Sequence, residues 1–202
     1  MSAPDVVLTM ITDRHRASGL ALPRLAEEAA RAGVDLIQVR EKDLEGGALR
    51  TLVEAVLAAT QGTATRVLVN GRVDVAVSAG ASGVQLPEDG LGVADVKRSF
   101  PHLVIGASRH SLDGVKRAEA EGADFVLFGP VWSTPGKESR AVGVAALRRA
   151  TSQVRIPVHA VGGLGPGNAR DAVEAGAAGI AAIRPFVCSP ASAVEAFREA
   201  LR

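Results

Sequence analysis

A glycine-rich turn follows one short apolar run in this sequence and is typical of sites that bind anions. The run is Val158–Val161, and the pair Gly162-Gly163 comes directly after it. Asn168 follows at the point where a new helix is predicted to begin. Free backbone amides and the positive end of a helix dipole attract an anion, and glycine lets that anion approach the backbone. We therefore expect Gly162 and Gly163 to bind a phosphate group; a tight connection without a ligand is the alternative.

Basic side chains recur near the ends of the predicted strands. A cleft lined by charge of one sign attracts and orients a small ligand of the opposite sign. We therefore expect a multiply anionic substrate, whereas the alternative is that these cations are scattered over the surface by chance. The cations are Arg40, Lys42, Arg72, Arg109, Lys137, Arg140 and Arg184.

Short runs rich in β-branched residues alternate with alanine-rich helical patterns along the whole chain. Strands that are apolar on both faces and separated by helices predict a parallel sheet covered by helices. Eight such units in 202 residues predict an α/β chain folded as a closed (β/α)8 TIM barrel. We expect residues 1–202 to form a single domain. The predicted strands are Val6–Ile11, Leu36–Arg40, Arg66–Asn70, Gly83–Leu86, Val104–Ser108, Phe125–Phe128, Val158–Val161 and Gly179–Ile183.

The helices predicted between these strands complete the repeating unit. A glycine-containing segment precedes the second, fourth, sixth and eighth strands, as in Ala-Gly-Val-Asp at 32–35. Each of these glycines is expected to end a helix in a left-handed conformation. An open doubly wound sheet is the rival fold, which is weakened because no Gly-x-Gly-x-x-Gly turn follows the first strand. The predicted helices are Arg24–Ala32, Gly47–Ala59, Val73–Ala79, Ala94–Ser99, Leu112–Glu121, Val144–Thr151, Ala169–Ala175 and Ala191–Leu201.

Composition argues against several functional classes. The net charge of +1 gives no global field that would favour nucleic acid or a membrane surface. No apolar run approaches the length needed to span a membrane, and a single cysteine, Cys188, excludes a disulfide within the chain. We expect a cytoplasmic protein without nucleic-acid or membrane partners. A homodimer is left open, because barrel enzymes often pair but no apolar stripe identifies an interface.

Several motifs occur together in an order that resembles the thiamine-phosphate synthase/TenI superfamily. The resemblance extends over nearly the whole chain, from the first predicted strand to the last helix. It implies a (β/α)8 barrel that acts in thiamin biosynthesis on a small phosphorylated heterocycle. The motifs are Ile11-Thr12-Asp13, Gln38-x-Arg40-Glu41-Lys42, Ser108-x-His110, Gly129-Pro130-Val131-x-x-Thr134-x-x-Lys137 and Gly162-Gly163.

The resemblance implies two candidate activities on one scaffold. The synthase uses Mg²⁺ and joins a hydroxymethylpyrimidine diphosphate to a thiazole phosphate. The TenI-type enzyme, a thiazole tautomerase, aromatises a thiazole carboxylate phosphate by proton transfer. Both activities require the phosphate site near the seventh and eighth strands, whereas the metal belongs to the synthase.

The residues after the third and fourth predicted strands favour the tautomerase branch. Synthases of the family carry Asn-Asp after the third strand and a second aspartate after the fourth. This chain has Gly71 after Asn70, and Gly90 aligns with the second aspartate, which leaves Asp89 one position away. Because Mg²⁺ requires hard oxygen ligands, we expect a TenI-like tautomerase without a metal. Asp89 is a magnesium ligand only in the synthase alternative.

Other residues match the synthase branch instead. Lys42, Thr134 and Lys137 stand where synthases hold the diphosphate, and Pro130 stands where some TenI-type members carry an acid/base histidine. An Mg²⁺-dependent thiamine-phosphate synthase is therefore the alternative. A non-catalytic relative that binds a phosphorylated ligand is the third hypothesis.

The resemblance and the expected strand ends assign a role to each candidate residue. His110 is the first choice for the acid/base, since imidazole titrates near neutral pH; a hydrogen-bonded structural role is the alternative. Lys42 and Ser108 are the other candidate catalytic residues. Trp132 is expected either to stack on the heterocycle or to anchor the loop after the sixth strand. The substrate-binding candidates are Gln38, Arg40, Asn70, Gln85, Thr134 and Lys137, and the phosphate-binding candidates are Gly162, Gly163 and Arg184.

Overall fold

Eight parallel strands form a closed barrel in the computed structural model, which describes residues 6–17, 19–134 and 141–202. The strands are β1 (Val7–Ile11), β2 (Leu36–Val39), β3 (Arg66–Asn70), β4 (Gly83–Leu86), β5 (Val104–Arg109), β6 (Phe125–Phe128), β7 (Val158–Val161) and β8 (Gly179–Ala182). Each strand pairs with the next, and β1 also pairs with β8, which closes the ring. The predicted α/β TIM barrel is therefore confirmed, and each predicted strand is correct to within one residue at either end.

Helices follow the strands and cover the outside of the barrel. In the described part of the chain they are α1 (Leu22–Arg31), α2 (Gly46–Ala59), α3 (Val73–Ala79), α4 (Val93–Ser99), α5 (Leu112–Ala120), α6 (Val144–Ser152), α7 (Pro166–Glu174), α8 (Arg184–Cys188) and α9 (Pro190–Ala200). α1 and α7 begin earlier than predicted, because a proline stands in the first turn of each, where its missing N–H is not needed. The short α8 is absent from the predicted helices.

The barrel buries apolar side chains on both sides of the sheet. This explains why the strands read as continuous apolar runs rather than as an alternating pattern. The larger cluster fills the space between strands and helices and includes Val84 and Val126. The smaller cluster fills the barrel interior and comprises Ile11, Leu36, Leu68, Phe125, Leu127 and Ala181.

The repeated glycine segments end helices as predicted. Gly33, Gly80, Gly122 and Gly176 have φ angles between +74° and +96°, a left-handed conformation that favours glycine. The polypeptide can therefore leave each helix and enter the next even-numbered strand within a few residues. Every helix in the described ranges is too short or too polar to cross a bilayer.

Candidate active site

Gln38 and Asn70 form a hydrogen-bonded pair at the carboxyl ends of β2 and β3. The Gln38 Nε2 group donates to Asn70 Oδ1 over 2.9 Å. Gln38 is only 4% exposed, and its Oε1 atom has no hydrogen-bond partner among the described residues. A buried carbonyl oxygen without a partner is unfavourable. This atom is therefore available to accept a hydrogen bond from a ligand.

A second pair continues this arrangement on β4 and β5. The Gln85 Nε2 group donates to Ser108 Oγ over 3.0 Å, and Gln85 is 1% exposed. The register places Asn70 beside Gln85, so the two pairs lie next to each other on four consecutive strands. We call Gln38, Asn70, Gln85 and Ser108 the polar layer. Its amides and hydroxyl can donate and accept hydrogen bonds at the edge of a heterocycle.

Two cations follow the polar layer at the end of β2. Arg40 is half-buried and Lys42 is exposed. Neither side chain forms a hydrogen bond or an ion pair with the part of the chain that the structure describes. Arg40 directly follows β2, which ends at Val39, whereas Lys42 lies in the turn that the Leu44 N–H closes on Glu41 O over 3.2 Å, so the predicted strand alternation does not extend to Lys42. Positive charge without a protein partner thus adjoins groups that can recognise a ring.

Two other cations predicted at the mouth have different surroundings. Arg72 donates to Asp74 through Nε over 2.9 Å and through Nη2 over 2.6 Å, so its charge is compensated at the start of α3. Arg109 is buried and lies on the outer side of β5, where it lines a cleft of about 210 Å³ with Gly114 and Arg117 of α5. Neither residue adds free positive charge to the mouth, contrary to the prediction. Of the other three predicted cations, Lys137 and Arg140 lie outside the described residues, and Arg184 is exposed at the start of α8.

A buried carboxylate ties the loop after β1 to the loop after β2. Thr12 Oγ1 donates to Glu41 Oε1 over 2.6 Å, and Arg14 Nη1 donates to Glu41 Oε2 over 3.1 Å. Thr12 Oγ1 also accepts the backbone N–H of Arg40 over 2.9 Å. Glu41 is 4% exposed, and both its oxygens are engaged. It therefore holds the backbone that carries Arg40 and Lys42.

Asp43 extends this network at the surface. It accepts hydrogen bonds from both terminal nitrogens of Arg14, at 2.6 and 2.5 Å, and His15 Nε2 lies 2.9 Å from it. Hydrogen bonds from Arg14 and then from His15 hold the pKa of Asp43 well below its usual range. The sequence prediction omits Arg14 and Asp43, because their contact joins loops that are distant along the chain. The charged residues clustered after both strands are the only local signal.

Gly162 and Gly163 are required for backbone geometry and for a close approach of the loop after β6. Their φ angles are +93° and +66°, a region that favours glycine. A Cβ on Gly162 would overlap Pro130, and a Cβ on Gly163 would lie 2.6 Å from Trp132 Cβ. The missing side chains make room for the loop after β6, and the approach of an anion to this turn stays a prediction. The amides of Gly163 and Leu164 donate to no acceptor in the described ranges and remain available to a ligand.

Asn168 supports this turn from within α7 and does not cap the helix as predicted. Gly165 is the N-cap residue, and Asn168 occupies the third helical position. Asn168 Oδ1 accepts the Gly165 N–H over 2.9 Å, while its Nδ2 donates to Gly163 O over 3.0 Å. The hydrogen bond from the Gly165 N–H to the Asn168 side chain is one of the two bonds of a capping box, the one that the third helical residue provides. Asn168 thus fixes the segment that presents the free amides.

The loop after β6 is hydrogen-bonded to the glycine turn. The Trp132 N–H donates to Gly162 O over 3.1 Å. Trp132 is half-buried and packs against the main apolar cluster, which favours loop anchoring over stacking on a ligand. Thr134 is half-buried just before the gap in the described residues, and Lys137 lies in that gap. Diphosphate contacts by these last two residues stay a prediction.

His110 joins the loops after β4, β5 and β6. Its Nδ1 makes a short contact with Gly129 O, and its Nε2 lies 3.6 Å from Glu88 Oε2. Ser111, rather than His110, caps α5 by accepting the Gly114 N–H over 3.1 Å. The carbonyl at Nδ1 selects the tautomer in which Nδ1 carries the hydrogen, so that Nε2 is free to accept a proton. The site can therefore hold or move a proton; the sequence prediction does not include Glu88.

The described residues do not form the two-carboxylate magnesium site implied for the synthase branch. Gly71 offers no side chain, and the preceding Asn70 already accepts a hydrogen bond from Gln38 through Oδ1. Asp89 is exposed, and no group of three or more histidine, cysteine, aspartate or glutamate side chains in the described ranges could hold a metal. Mg²⁺ needs a tight octahedron of oxygen ligands. We assign no metal-dependent step to these residues.

The barrel, the polar layer and the free amides after β7 define a (β/α)8 protein whose carboxyl-terminal mouth suits a small phosphorylated ligand. The family model of TMP-TENI, described as thiamine monophosphate synthase, matches residues 8–186. The chain belongs to this family. It is accordingly an enzyme of thiamine biosynthesis of the thiamine-phosphate synthase type.

Individual relatives agree with this assignment. A putative thiamine-phosphate synthase of Geobacter sulfurreducens is 41% identical over 193 residues, which cover 94% of this chain and 91% of the relative. A thiamine-phosphate synthase of Methanoculleus marisnigri is 38% identical over 183 residues, covering 89% and 87%. The solved structure of thiamine phosphate pyrophosphorylase from Pyrococcus furiosus has a TM-score of 0.88 at 31% identity, covering 98% of this chain and 96% of that one. Membership in the superfamily is thus confirmed, whereas the narrower assignment to the TenI branch is not.

Proposed function

We propose that this protein is a synthase that joins a hydroxymethylpyrimidine diphosphate to a thiazole phosphate and releases diphosphate. The observation that carries the proposal is that two cations without a described partner, Arg40 and Lys42, directly follow the polar layer on β2. A diphosphate is a multiply charged leaving group, so cations beside ring-binding amides suit this substrate. The names of the relatives support the same activity. The synthase therefore replaces the tautomerase as the first hypothesis.

The polar layer binds the pyrimidine in this proposal, and the two cations bind its diphosphate. The bond between the methylene carbon and the diphosphate oxygen breaks, and the oxygen keeps the electron pair. The thiazole nitrogen donates its lone pair to the same carbon, so no proton has to move. Arg40 and Lys42 stabilise the negative charge that develops on the leaving oxygen. Because Thr12 and Glu41 hold the backbone of this segment, little reorganisation accompanies the reaction.

The thiazole phosphate is assigned to the other half of the mouth. The free amides of Gly163 and Leu164 follow β7, and Arg184 begins α8 directly after β8. β7 and β8 are paired, so these two loops are neighbours. Arg184 is exposed and has no partner within the described residues. Backbone amides and a guanidinium group are both suited to phosphate oxygens.

A tautomerase is the second candidate, and the loops after β3 and β5 favour it. Gly71 stands where the synthase branch carries a carboxylate, and His110 is placed between a carbonyl and Glu88. In this alternative His110 Nε2 takes a proton from the thiazole carboxylate phosphate and returns it at another ring position. Arg40 and Lys42 then bind the substrate carboxylate instead of a diphosphate, and Ser108 hydrogen-bonds the ring.

One experiment separates these candidates. The purified protein is incubated with the pyrimidine diphosphate and the thiazole phosphate, in buffer containing Mg²⁺ and in buffer containing EDTA. Released diphosphate and the joined product are measured together. A parallel sample contains the thiazole carboxylate phosphate in deuterated water, and deuterium incorporation is followed. Formation of the joined product supports the synthase, and deuterium incorporation alone supports the tautomerase. If neither is observed, the result supports the non-catalytic relative.

A further inference from the structure

A cavity of about 560 Å³ opens at the amino-terminal end of the barrel, opposite the mouth that holds the polar layer. Its wall consists of residues at or near the beginnings of strands. The volume lies within the range of small-molecule sites. Val7, Leu36, Val104 and Phe125 form the apolar part of this wall. The proposed reaction does not use the cavity, because its phosphate and diphosphate groups are assigned to the opposite end.

Arg66 brings uncompensated positive charge to this cavity. It is the first residue of β3, and its side chain is exposed. Its guanidinium group makes no hydrogen bond or ion pair with the residues that the structure describes. An arginine that lines a concave apolar surface without a partner is a ready site for a carboxylate, which it can bind through two hydrogen bonds.

Two carboxylates also line the cavity, but protein groups already satisfy them. Asp35 Oδ2 accepts a backbone N–H of β1 over 2.7 Å and pairs with Arg198 Nη2 over 2.9 Å. Asp124 Oδ2 accepts a backbone N–H of β5 over 2.7 Å, and Lys97 Nζ lies 3.0 Å from Asp124 Oδ1. Each negative charge therefore has its own cation. Among the described residues of the wall, Arg66 therefore carries the uncompensated charge, and this positive charge favours an anionic ligand.

His159 adds a buried polar group that lacks a partner. It is 3% exposed, and its Nδ1 has no hydrogen-bond partner among the described residues. The ring stacks on Phe125 with a centroid distance of 4.7 Å, and a Cβ on Gly179 would lie 2.7 Å from the ring. Burial lowers the pKa of His159 to about 4, so the imidazole is neutral at pH 7. His159 lines the cavity, and a neutral imidazole ring carries one hydrogen-bond donor and one acceptor.

The two polar groups stand on opposite sides of the cavity. Arg66 belongs to β3 and His159 to β7, which are four strands apart in a closed ring of eight. A ligand that reaches both must carry its anionic group and its hydrogen-bonding group at opposite ends of an apolar body that fits the wall formed by Val7, Leu36, Val104 and Phe125. We propose that this cavity binds an elongated aromatic monoanion, with its carboxylate on Arg66 and its distal hydroxyl on His159.

Three small probes test the shape and charge of this site by titration calorimetry. 4-Hydroxybenzoate carries the two groups at opposite ends, benzoate lacks the hydroxyl, and 2-hydroxybenzoate carries it next to the carboxylate. We expect 4-hydroxybenzoate to bind about fivefold more tightly than either of the others, as one added hydrogen bond would give. Equal affinities for the three probes, or no binding at millimolar concentration, would overturn the proposal.

Two variants assign the binding to the named residues. Arg66→Gln keeps a polar side chain but removes the charge, and it should weaken both 4-hydroxybenzoate and benzoate about tenfold. His159→Phe keeps the stacking on Phe125 and should abolish the preference for 4-hydroxybenzoate over benzoate. Lys42→Ala, at the other end of the barrel, should leave all three affinities unchanged. Binding that Lys42→Ala weakens and Arg66→Gln does not would place the probes at the other mouth and refute the site.

A measurement on the unaltered protein tests the His159 contact even if the His159→Phe variant does not fold. The chain contains four histidines, so the imidazole C–H signals are few in a proton NMR spectrum. The signal of His159 is recognised by its through-space contacts with the Phe125 ring, on which it stacks. We expect 4-hydroxybenzoate to shift this signal at saturating inorganic phosphate as well as without it. An unmoved His159 signal, or a shift that phosphate abolishes, would contradict the proposal.

Discussion

The Gln38 side chain donates a hydrogen bond to Asn70 and leaves its own carbonyl oxygen unpaired inside the barrel mouth. This bond determines which end of the Gln38 amide faces Asn70. The unpaired oxygen is consequently directed away from the pair and is left for a ligand N–H group. In the proposed synthase, Asn70 thus acts on the pyrimidine both directly and by orienting Gln38.

Replacing Asn70 by alanine tests this relationship. Asn70→Ala removes the acceptor that orients Gln38, so the amide can rotate and the pyrimidine loses an ordered partner. We expect the free energy of unfolding to fall by about 1 kcal/mol and turnover to fall about tenfold. Gln153→Ala, which removes an exposed amide, is the control and should alter neither. A barrel that unfolds outright would show that Asn70 is structural.

Lys42 is expected to act on the anionic group of the substrate. Lys42→Ala should raise the KM for the pyrimidine diphosphate about tenfold, because a charge-assisted contact is lost. The stability of the barrel should not change, since Lys42 is exposed. Lys116→Ala removes an exposed lysine from α5 and is the matched control. Identical kinetics for the two variants would remove Lys42 from the proposed site.

Glu41 is expected to support the site through the backbone. Glu41→Gln removes the charge from an acceptor of the Thr12 hydroxyl and of Arg14, so we expect a loss of about 2 kcal/mol of stability. Thermal or urea unfolding measures this loss. Asp43→Asn alters the other carboxylate on Arg14, which is exposed, and should change stability little. The reverse order of the two effects would show that the surface pair holds the loops together.

The glycine turn after β7 should tolerate no side chain at Gly163. Gly163→Val introduces a Cβ at a φ of +66° and 2.6 Å from Trp132 Cβ, so we expect a loss of at least about 2 kcal/mol and weaker phosphate binding. Gly165→Ala is the control, because no atom lies within 4 Å of its Cβ and its φ is −150°. Phosphate affinity is measured by calorimetry. Unaltered affinity in Gly163→Val would remove the turn from the phosphate site.

Stability should fall in acid because of His159. Burial lowers the folded-state pKa to about 4, whereas the unfolded value is near 6.5, so the unfolded chain binds the extra proton first. The contribution of neutral His159 to the free energy of unfolding is therefore fully present above pH 6.5. It is lost as the pH falls towards 4, by up to about 3 kcal/mol. His159→Phe should flatten this part of the curve. Parallel curves for the two proteins from pH 7 to pH 4.5 would show that His159 is not buried and neutral.

The barrel was largely predictable because its signals are local. Apolar runs such as Phe125–Phe128 and repeated helix-ending glycines such as Gly80 follow from neighbouring residues, and the structure contains both. Helix starts were less accurate, since Pro166 and Gly165 compete with Asn168 for the first positions of α7. The resulting error is about one helical turn.

The side-chain contacts of the site could not be predicted in the same way. Arg109 and Ser108 are consecutive, yet one faces α5 and the other faces the barrel axis, so a cation near a strand end need not reach the mouth. Glu88 and His110 meet only because β4 and β5 are neighbours in the folded ring. The sequence identifies residue types near each strand end, whereas the partners depend on packing between distant segments.

The polar layer occupies β2 to β5, whereas the free amides belong to the opposite part of the ring, after β7. In the proposed synthase each substrate binds at one of these two sites, whereas the joined product contacts both. Dissociation of the product then requires both sets of contacts to break together. Thiamin phosphate should consequently compete with either substrate for the free enzyme, and its release is the step expected to limit the rate at high substrate concentration.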